Sequence, residues 1–359
     1  MKKICFFNSS KNWGGGEKWH FETAKILWEK GYEIIVLGNI NSELIKRCRE
    51  VGIEVKEIKI SNKSFLNLLT VYKVCKFFYQ EKISTVIANL PIDMKILSIS
   101  GLFVKIDKKI YRRGSAIPIK KNFFNKLCLG KLIDEIIVNS YETKNTVIKN
   151  MKLSMLDDKI TVIHNYFDFE IYENELYEEI QIKRENKLII GNLARLSKQK
   201  GQSNFIEIAK YLKNKNIKFK IYLAGIGELE DELSKQIKHE KLENEIVLLG
   251  FIKNVKLFLE KIDVFAFTSV WEGFGYSLVE AMYSNKPIVA YDISSNPEVL
   301  EGYLGAKLVK IYDNKNFAEQ ILEVNEMKEK LKNKKIGEEF VKKKFDKKKL
   351  LMKLLEFFN

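Results

Sequence analysis

The chain has 359 residues, of which 46% are hydrophobic and 12% aromatic; that excludes wholesale disorder and, at about 100–200 residues per domain, points to two domains. Only 4 prolines exclude a collagen-like or proline-rich linker architecture. The formal net charge is +15, with 29 Lys+Arg against 18 Asp+Glu in residues 1–170 and 33 against 29 in residues 171–359. A compositional bias toward lysine explains the total but not the asymmetry, and a basic first half suits an anionic partner: nucleic acid, an acidic membrane surface or a phosphorylated substrate.

In chain order, residues 3–7 read as a strand, Gly14-Gly15-Gly16 as a turn, residues 17–30 as a helix closed by Gly31, and residues 33–37 as the next strand. Further strands are expected at 54–58, 85–88, 109–112, 135–139 and 160–163, with helices around 66–79 and 141–150. Strands apolar on both faces, alternating with helices, mean a parallel α/β sheet. Residues 168–186 hold seven acids and no strand signal, and are expected to link two domains. A second α/β series starts at 187–191 and continues with strands at 219–223, 245–249, 263–267, 287–290 and 306–309, before a lysine-rich helical end. The expected division is a domain over 1–167, a linker over 168–186 and a second domain over 187–344. A C-terminal helix of about 345–359 is expected to pack back on the first domain. Two doubly wound halves put a cleft between them, and ligands of open α/β sheets lie at the carboxyl ends of strands.

Four cysteines, at 5, 48, 75 and 128, show no C-x-x-C pair, which fits reduced thiols in a cytoplasmic protein. No signal peptide or membrane span is expected. The three histidines, His20, His164 and His239, are scattered, and no Asp-x-Asp pair stands ready to hold a divalent metal against a diphosphate.

Four features carry chemistry, each with a plainer reading beside it. Gly14-Gly15-Gly16 between a strand and a helix lets backbone approach a phosphate, or is simply a tight turn. The run from Gly191 to Gly201 delivers Arg195 and Lys200 to one strand-end loop; two fixed cations suit a diphosphate leaving group, or form a solvated charged loop. Glu272 and Glu280 lie eight residues apart in a strand–loop–helix passage whose Gly273 and Gly275 free the backbone, so that the amides of 274–277 can face an anion or sugar hydroxyls, or the two form a plain surface acidic pair. From Lys105 to Lys131 nine basic residues meet one acid, with Phe123, Phe124, Leu127 and Leu129 interleaved. That suits an anionic bilayer or nucleic acid, unless the apolar residues belong to the core.

The second half resembles the nucleotide-sugar domain of retaining glycosyltransferases of family 4, enzymes of the two-Rossmann GT-B fold. The matching segments follow in family order: ARLSKQKG at 194–201, LAGIGELEDEL at 223–233, VLLGFI at 247–252, and the stretch 263–300 with the E-x7-E signature at Glu272 and Glu280. The GGGE start, VNS at 138–140 and VIHN at 162–165 are weaker matches in the first half. The resemblance implies that Arg195 and Lys200 bind the donor diphosphate and stabilise it as it leaves, and that Glu280 accepts from the ribose. It implies that Glu272, with the backbone of Phe274, Gly275, Tyr276 and Ser277, holds the transferred sugar and its phosphate. Gly250, Phe251 and Ile252 would line the base, and Gly15 and Gly16 would close on the phosphates. No metal or other cofactor is implied. The chain departs from the family where relatives place a strand-end His: here the region reads Tyr111-Arg112-Arg113-Gly114, and Arg112 and Arg113 suit an anionic acceptor.

The expected function is a retaining, metal-independent transferase working on a nucleotide sugar, UDP-linked first and GDP-mannose next. Its acceptor is a cell-surface glycan or glycolipid, as in lipopolysaccharide, capsule or lipid-linked oligosaccharide synthesis. It is expected in the cytoplasm or peripheral on the inner face of the cytoplasmic membrane. The alternatives are another GT-B enzyme, a sugar-nucleotide epimerase or a phosphorylase, and, from another class, a nucleic-acid-binding protein, which leaves Arg195, Lys200, Glu272 and Glu280 without a role.

Overall fold

The computed structural model describes residues 3–151, 156–174, 180–182 and 186–357. The chain forms two compact units, Met1–Ile163 and His164–Asn359, each built on one parallel sheet. In the first unit the strands are β1 (Lys3–Asn8), β2 (Ile34–Gly38), β3 (Glu54–Glu57), β4 (Ile83–Ala88), β5 (Lys108–Arg113), β6 (Glu135–Val138) and β7 (Ile160–Val162). Their order across the sheet is β3-β2-β1-β4-β5-β6-β7. The second unit has β8 (Leu188–Leu193), β9 (Phe219–Ala224), β10 (Ile246–Gly250), β11 (Val264–Phe267), β12 (Ile288–Tyr291) and β13 (Ala306–Val309), in the order β10-β9-β8-β11-β12-β13. All pairings are parallel. Both orders reverse direction beside the first strand of the unit, and there the carboxyl ends of two neighbouring strands splay apart and leave a crevice.

The sequence dictates these sheets through burial. Every residue of β2 and of β11 is buried, as strands covered by helices on both faces require. The first core gathers Cys5, Phe7, Leu37, Phe78, Ile96 and Ile136; the second unit has one cluster on each side of its sheet. The first helix, Gly15–Glu29, starts two residues earlier than the sequence indicates, because Gly15 and Gly16 adopt helical backbone once Gly14 caps them.

Of the acidic stretch 168–186, residues 175–179 and 183–185 lie outside the described residues. The described part is packed rather than free. Phe169–Glu173 is a helical turn, its Tyr172 meets Tyr283 edge to face at 5.4 Å and shares a 2.5 Å hydrogen bond with Ser284, and Ile180 and Ile182 join the second core. The last helix, Lys347–Glu356, belongs to the second unit, where Phe345 is in the core and Lys347 pairs with Asp168. Residues 358–359 lie outside the described residues. Among the described residues no helix is long and apolar enough to cross a membrane.

Candidate functional site

The crevice of the second unit lies between β8 and β11, and both loops singled out in the sequence leave the sheet there. After β8 the chain passes Arg195, turns through Lys198–Lys200 and enters the helix Asn204–Asn214. After β11 it passes Thr268 to Gly275 and enters the helix Tyr276–Tyr283. The loops are sewn together: Val270 N donates to Gln199 O at 2.8 Å, Gln199 Nε2 to Trp271 O at 3.1 Å, and Thr268 Oγ1 to Lys200 O at 3.0 Å. This frame brings Lys200 Nζ to 2.5 Å from Glu272 Oε2, with the two side chains only 18% and 11% exposed. A pair so far out of water is attracted more strongly than a surface pair.

Arg195 is exposed, and no carboxylate pairs with it among the described residues. Its backbone, in contrast, is fixed. Ala194 N and Leu196 N donate to Ala224 O and Ile226 O at 3.0 and 3.1 Å, and Gln202 Nε2 donates to Arg195 O at 3.0 Å. The approach is possible because residue 225 is glycine: φ is +137°, and a Cβ there would lie 2.0 Å from the Ala194 carbonyl oxygen. A Cβ on Gly227 would lie 2.2 Å from Leu196 O. Gly225 and Gly227 were quoted in the sequence only as part of a matching segment; their function is to seat the arginine loop, and the signal was the G-x-G immediately after a strand.

Gly275, at φ +79°, caps the helix Tyr276–Tyr283, and its carbonyl accepts from Leu278 N at 3.0 Å in the first turn. Ser295 Oγ donates to Glu272 O at 3.2 Å and holds the loop from behind. Phe274 is 3% exposed, in the core against Phe345 and Tyr276, so only its backbone can meet a ligand. Ser277 and Glu280 are half-buried. Gly250 ends β10 and accepts from Gly225 N at 2.7 Å; Phe251 is 67% exposed, while Ile252 packs on the core. His164 lies 2.6 Å from Glu298 Oε1 and its ring is 6.5 Å from that of Phe274 in the second loop, while His239 is exposed on a helix end. Among the described residues no group of three or more His, Cys, Asp or Glu is placed to hold a metal ion.

In the first unit, the carboxyl ends of β1, β4 and β5 form a second polar centre around a cavity of about 570 Å³. Glu17 is 8% exposed and accepts from Asn8 Nδ2 and Asn89 Nδ2, both at 3.4 Å. Arg112, 3% exposed, lies over the Trp19 ring at 4.9 Å and reaches Asn89 Oδ1 at 3.5 Å. Arg113 donates to Tyr111 Oη at 3.1 Å and to the Ile117 carbonyl. Gly16 is needed at this approach, since a Cβ there would come within 3.0 Å of Asn89 Nδ2, whereas Gly15 is exposed. Asn89 stands directly after β4, a polar residue ending an apolar run, whereas Glu17 lies in the first turn of the helix Gly15–Glu29, where sequence alone gives no sign of its burial. His20 is fully buried beneath them, with burial and then Arg112 holding its pKa well below the usual value, so it stays neutral.

Asp93 caps the helix Pro91–Ser100, its Oδ2 accepting from Leu90 N at 2.9 Å and Ser9 N at 3.1 Å. Burial, aided by nearby Glu17, pushes its pKa up to about 7 against the pull of those hydrogen bonds. The folded chain therefore holds a proton that the unfolded chain has released, and stability is expected to fall as pH rises from the ordinary carboxyl range toward 7. Asp93→Asn should flatten that fall; melting both proteins at about pH 5 and about pH 8 checks it. Parallel pH profiles would contradict it.

Of the Lys105 to Lys131 run, less is available than the sequence suggests. Lys108 and Lys109 pair with Glu135 and Asp134 at 2.9 and 2.8 Å. Leu129 is buried and Phe124 packs on Phe65, leaving Phe123 exposed at 81%.

Two Rossmann-like units, each built on one parallel sheet, are the architecture of GT-B glycosyltransferases. Residues 173–339, a little under half of the chain, match the family Glycosyl transferases group 1. The chain is similar to an uncharacterized glycosyltransferase of Methanocaldococcus jannaschii, 26% identical over 294 residues that make up 75% of this chain and 68% of the relative. It is also similar to the N-acetylgalactosamine-N,N'-diacetylbacillosaminyl-diphospho-undecaprenol 4-alpha-N-acetylgalactosaminyltransferase of Campylobacter jejuni, 31% identical over 230 residues, or 61% of each chain; the match thus spans less than two thirds of that relative. The crystal structure of Anabaena HepE in complex with UDP has the same fold, with a TM-score of 0.82 at 20% identity, covering 100% of this chain and 99% of that one.

Proposed function

We propose that the chain is a retaining, metal-independent hexosyltransferase that moves a sugar from a nucleoside diphosphate, UDP first and GDP next, onto a cell-surface glycan or lipid-linked glycan. The observation that carries this reading is the partly buried pair of Lys200 and Glu272, 2.5 Å apart beside the loop of Arg195. A donor diphosphate entering there offers Lys200 a stronger anion than Glu272. The carboxylate then turns to the sugar hydroxyls, while Lys200 and Arg195 neutralise the charge that develops as the anomeric carbon–oxygen bond breaks. The acceptor hydroxyl oxygen forms its bond to that carbon on the face the diphosphate leaves, and its proton passes to the departing phosphate oxygen, so configuration is retained. Glu280 accepts from the ribose, Gly250, Phe251 and Ile252 flank the base, and the amides of Phe274 to Ser277 meet phosphate and sugar. Gly15 and Gly16 serve the phosphates from the first unit, whose Arg112 and Arg113 face an anionic acceptor. With two cations at the diphosphate, no divalent ion is required. The UDP complex of Anabaena HepE and the diphospho-undecaprenol acceptor in the Campylobacter enzyme's name support donor and acceptor class. The reading places the enzyme on the inner face of the cytoplasmic membrane, with the run from Lys105 to Lys131 toward anionic lipid.

Incubation with a panel of UDP-sugars and GDP-mannose tests the activity. Slow release of one nucleoside diphosphate, undiminished by chelator, is the expected result. Release only after divalent metal is restored would remove the metal-independent reading, and no release from any donor would remove the transferase reading.

A further inference from the structure

The helix Leu68–Gln80 has two apolar faces, and the fold uses one. Val71, Val74, Phe77 and Phe78 are buried in the first core. On the other side Leu68, Tyr72, Cys75 and Tyr79, spaced four, three and four residues apart, make a second stripe. With Phe103 and Val104 this stripe lines a surface groove of about 620 Å³. Leu68, Tyr79 and Phe103 are 84%, 76% and 75% exposed, and neighbouring Leu66, Leu69 and Leu102 are exposed as well. An exposed apolar groove of this extent marks a surface that something else covers.

The charges around it identify the occupant. Residues 59–131 hold 15 Lys and Arg against three acids. Of those acids Asp93 is buried and Glu81 is paired with Lys3 at 2.7 Å, so Asp107 alone is exposed, with no ion pair among the described residues. Lys63, Lys73, Lys76 and Lys105 are all exposed. A second copy of this chain would press two lysine rims together, which like charges oppose. An anionic bilayer satisfies both features at once: leucine and phenylalanine side chains enter the acyl boundary, Tyr72 and Tyr79 sit at headgroup depth, and the lysines meet lipid phosphates.

We infer that the Leu68–Gln80 helix face, with Leu102 and Phe103, docks the first unit on an anionic lipid surface. This deepens the proposed function, on which its purpose rests, and it moves the main contact away from the Lys105 to Lys131 run. The docking face adjoins the polar cavity: Lys95 lies 4.7 Å above the Phe65 ring, Phe65 stacks on Phe124, and Lys95, Lys120 and Asn122 line the cavity. A lipid-linked headgroup would thus reach the cavity from the membrane plane.

Vesicle flotation tests this with phosphatidylglycerol-containing and pure phosphatidylcholine vesicles, on the wild type and on the triple variant Leu68→Ser, Tyr72→Ser, Phe103→Ser. The wild type should float with the anionic vesicles, far less with the neutral ones, and be released by high salt. The variant should lose about tenfold or more in partitioning, with an unchanged melting curve and unchanged donor hydrolysis without vesicles. Wild-type protein that stays behind with anionic vesicles, or a variant that floats equally well, overturns the inference. A wild-type dimer that the variant turns into a monomer overturns it in favour of self-association. Vesicle binding as expected without hydrolysis of any donor would sink the transferase reading and leave the docking surface standing.

Discussion

Lys200→Ala is expected to lower kcat by about 10²–10³, the usual cost of removing a positioned group that stabilises developing charge. Arg195→Ala should lose about tenfold or more, and less than Lys200→Ala, because Arg195 is exposed and its field is weakened by water. The lysine also has a resting partner. Removing it strands Glu272, whose side chain is 11% exposed, at a cost of about 1–2 kcal/mol after allowing for partial solvation. The double variant Lys200→Ala, Glu272→Gln separates the two effects, since it should regain the stability and not the turnover. Turnover that recovers together with stability would reduce Lys200 to a structural partner of Glu272.

Gly225→Ala should be the most damaging single-methyl change near the site. The added carbon would lie 2.0 Å from a backbone oxygen, at φ +137°, so the Ala194–Leu196 segment has to move or the loop has to unfold. A loss of about 3 kcal/mol or more is expected, with nucleotide affinity falling as Arg195 leaves its place. Gly250→Ala is the matched control. It too has positive φ, at +71°, but a Cβ there meets nothing within 4 Å, so the cost should be about 1–2 kcal/mol of backbone strain alone. Urea denaturation of the two variants compares them directly, and equal losses would show that contact with Ala194 is not what matters.

The fold was legible because its strands are buried on both faces and stand out as short apolar runs between helical periods. Phe6, Val36 and Phe265 had no other place to go. The alternation of those runs also gave two units, since each needs its own strand reversal. What remained hidden depends on distance in sequence. Lys200 and Glu272 are 72 residues apart, and no spacing rule joins them; only the parallel pairing of β8 with β11 does. The Gly225 contact with Ala194 is hidden for the same reason, because it spans neighbouring strands β8 and β9. The Leu68–Gln80 helix was legible as a helix. Its apolar residues fall on two faces, however, and periodicity cannot tell which face the sheet covers. Asp134 and Glu135, just beyond the run from Lys105 to Lys131, pair with two of its lysines, which the run by itself does not reveal.

The central claim is that the loops after β8 and β11 form a nucleoside-diphosphate site in which Glu280 reads the nucleoside and Glu272 reads the sugar. Calorimetric titration of UDP into the wild type, Glu280→Gln and Glu272→Gln, with chelator present throughout, tests it most directly. The account predicts one-to-one binding by the wild type, marked weakening in Glu280→Gln, and binding by Glu272→Gln at least as tight as the wild type, since Lys200 no longer has a charged partner to leave. Equal weakening in both variants would contradict the division of roles, and a wild type that binds neither UDP nor GDP would contradict the site itself.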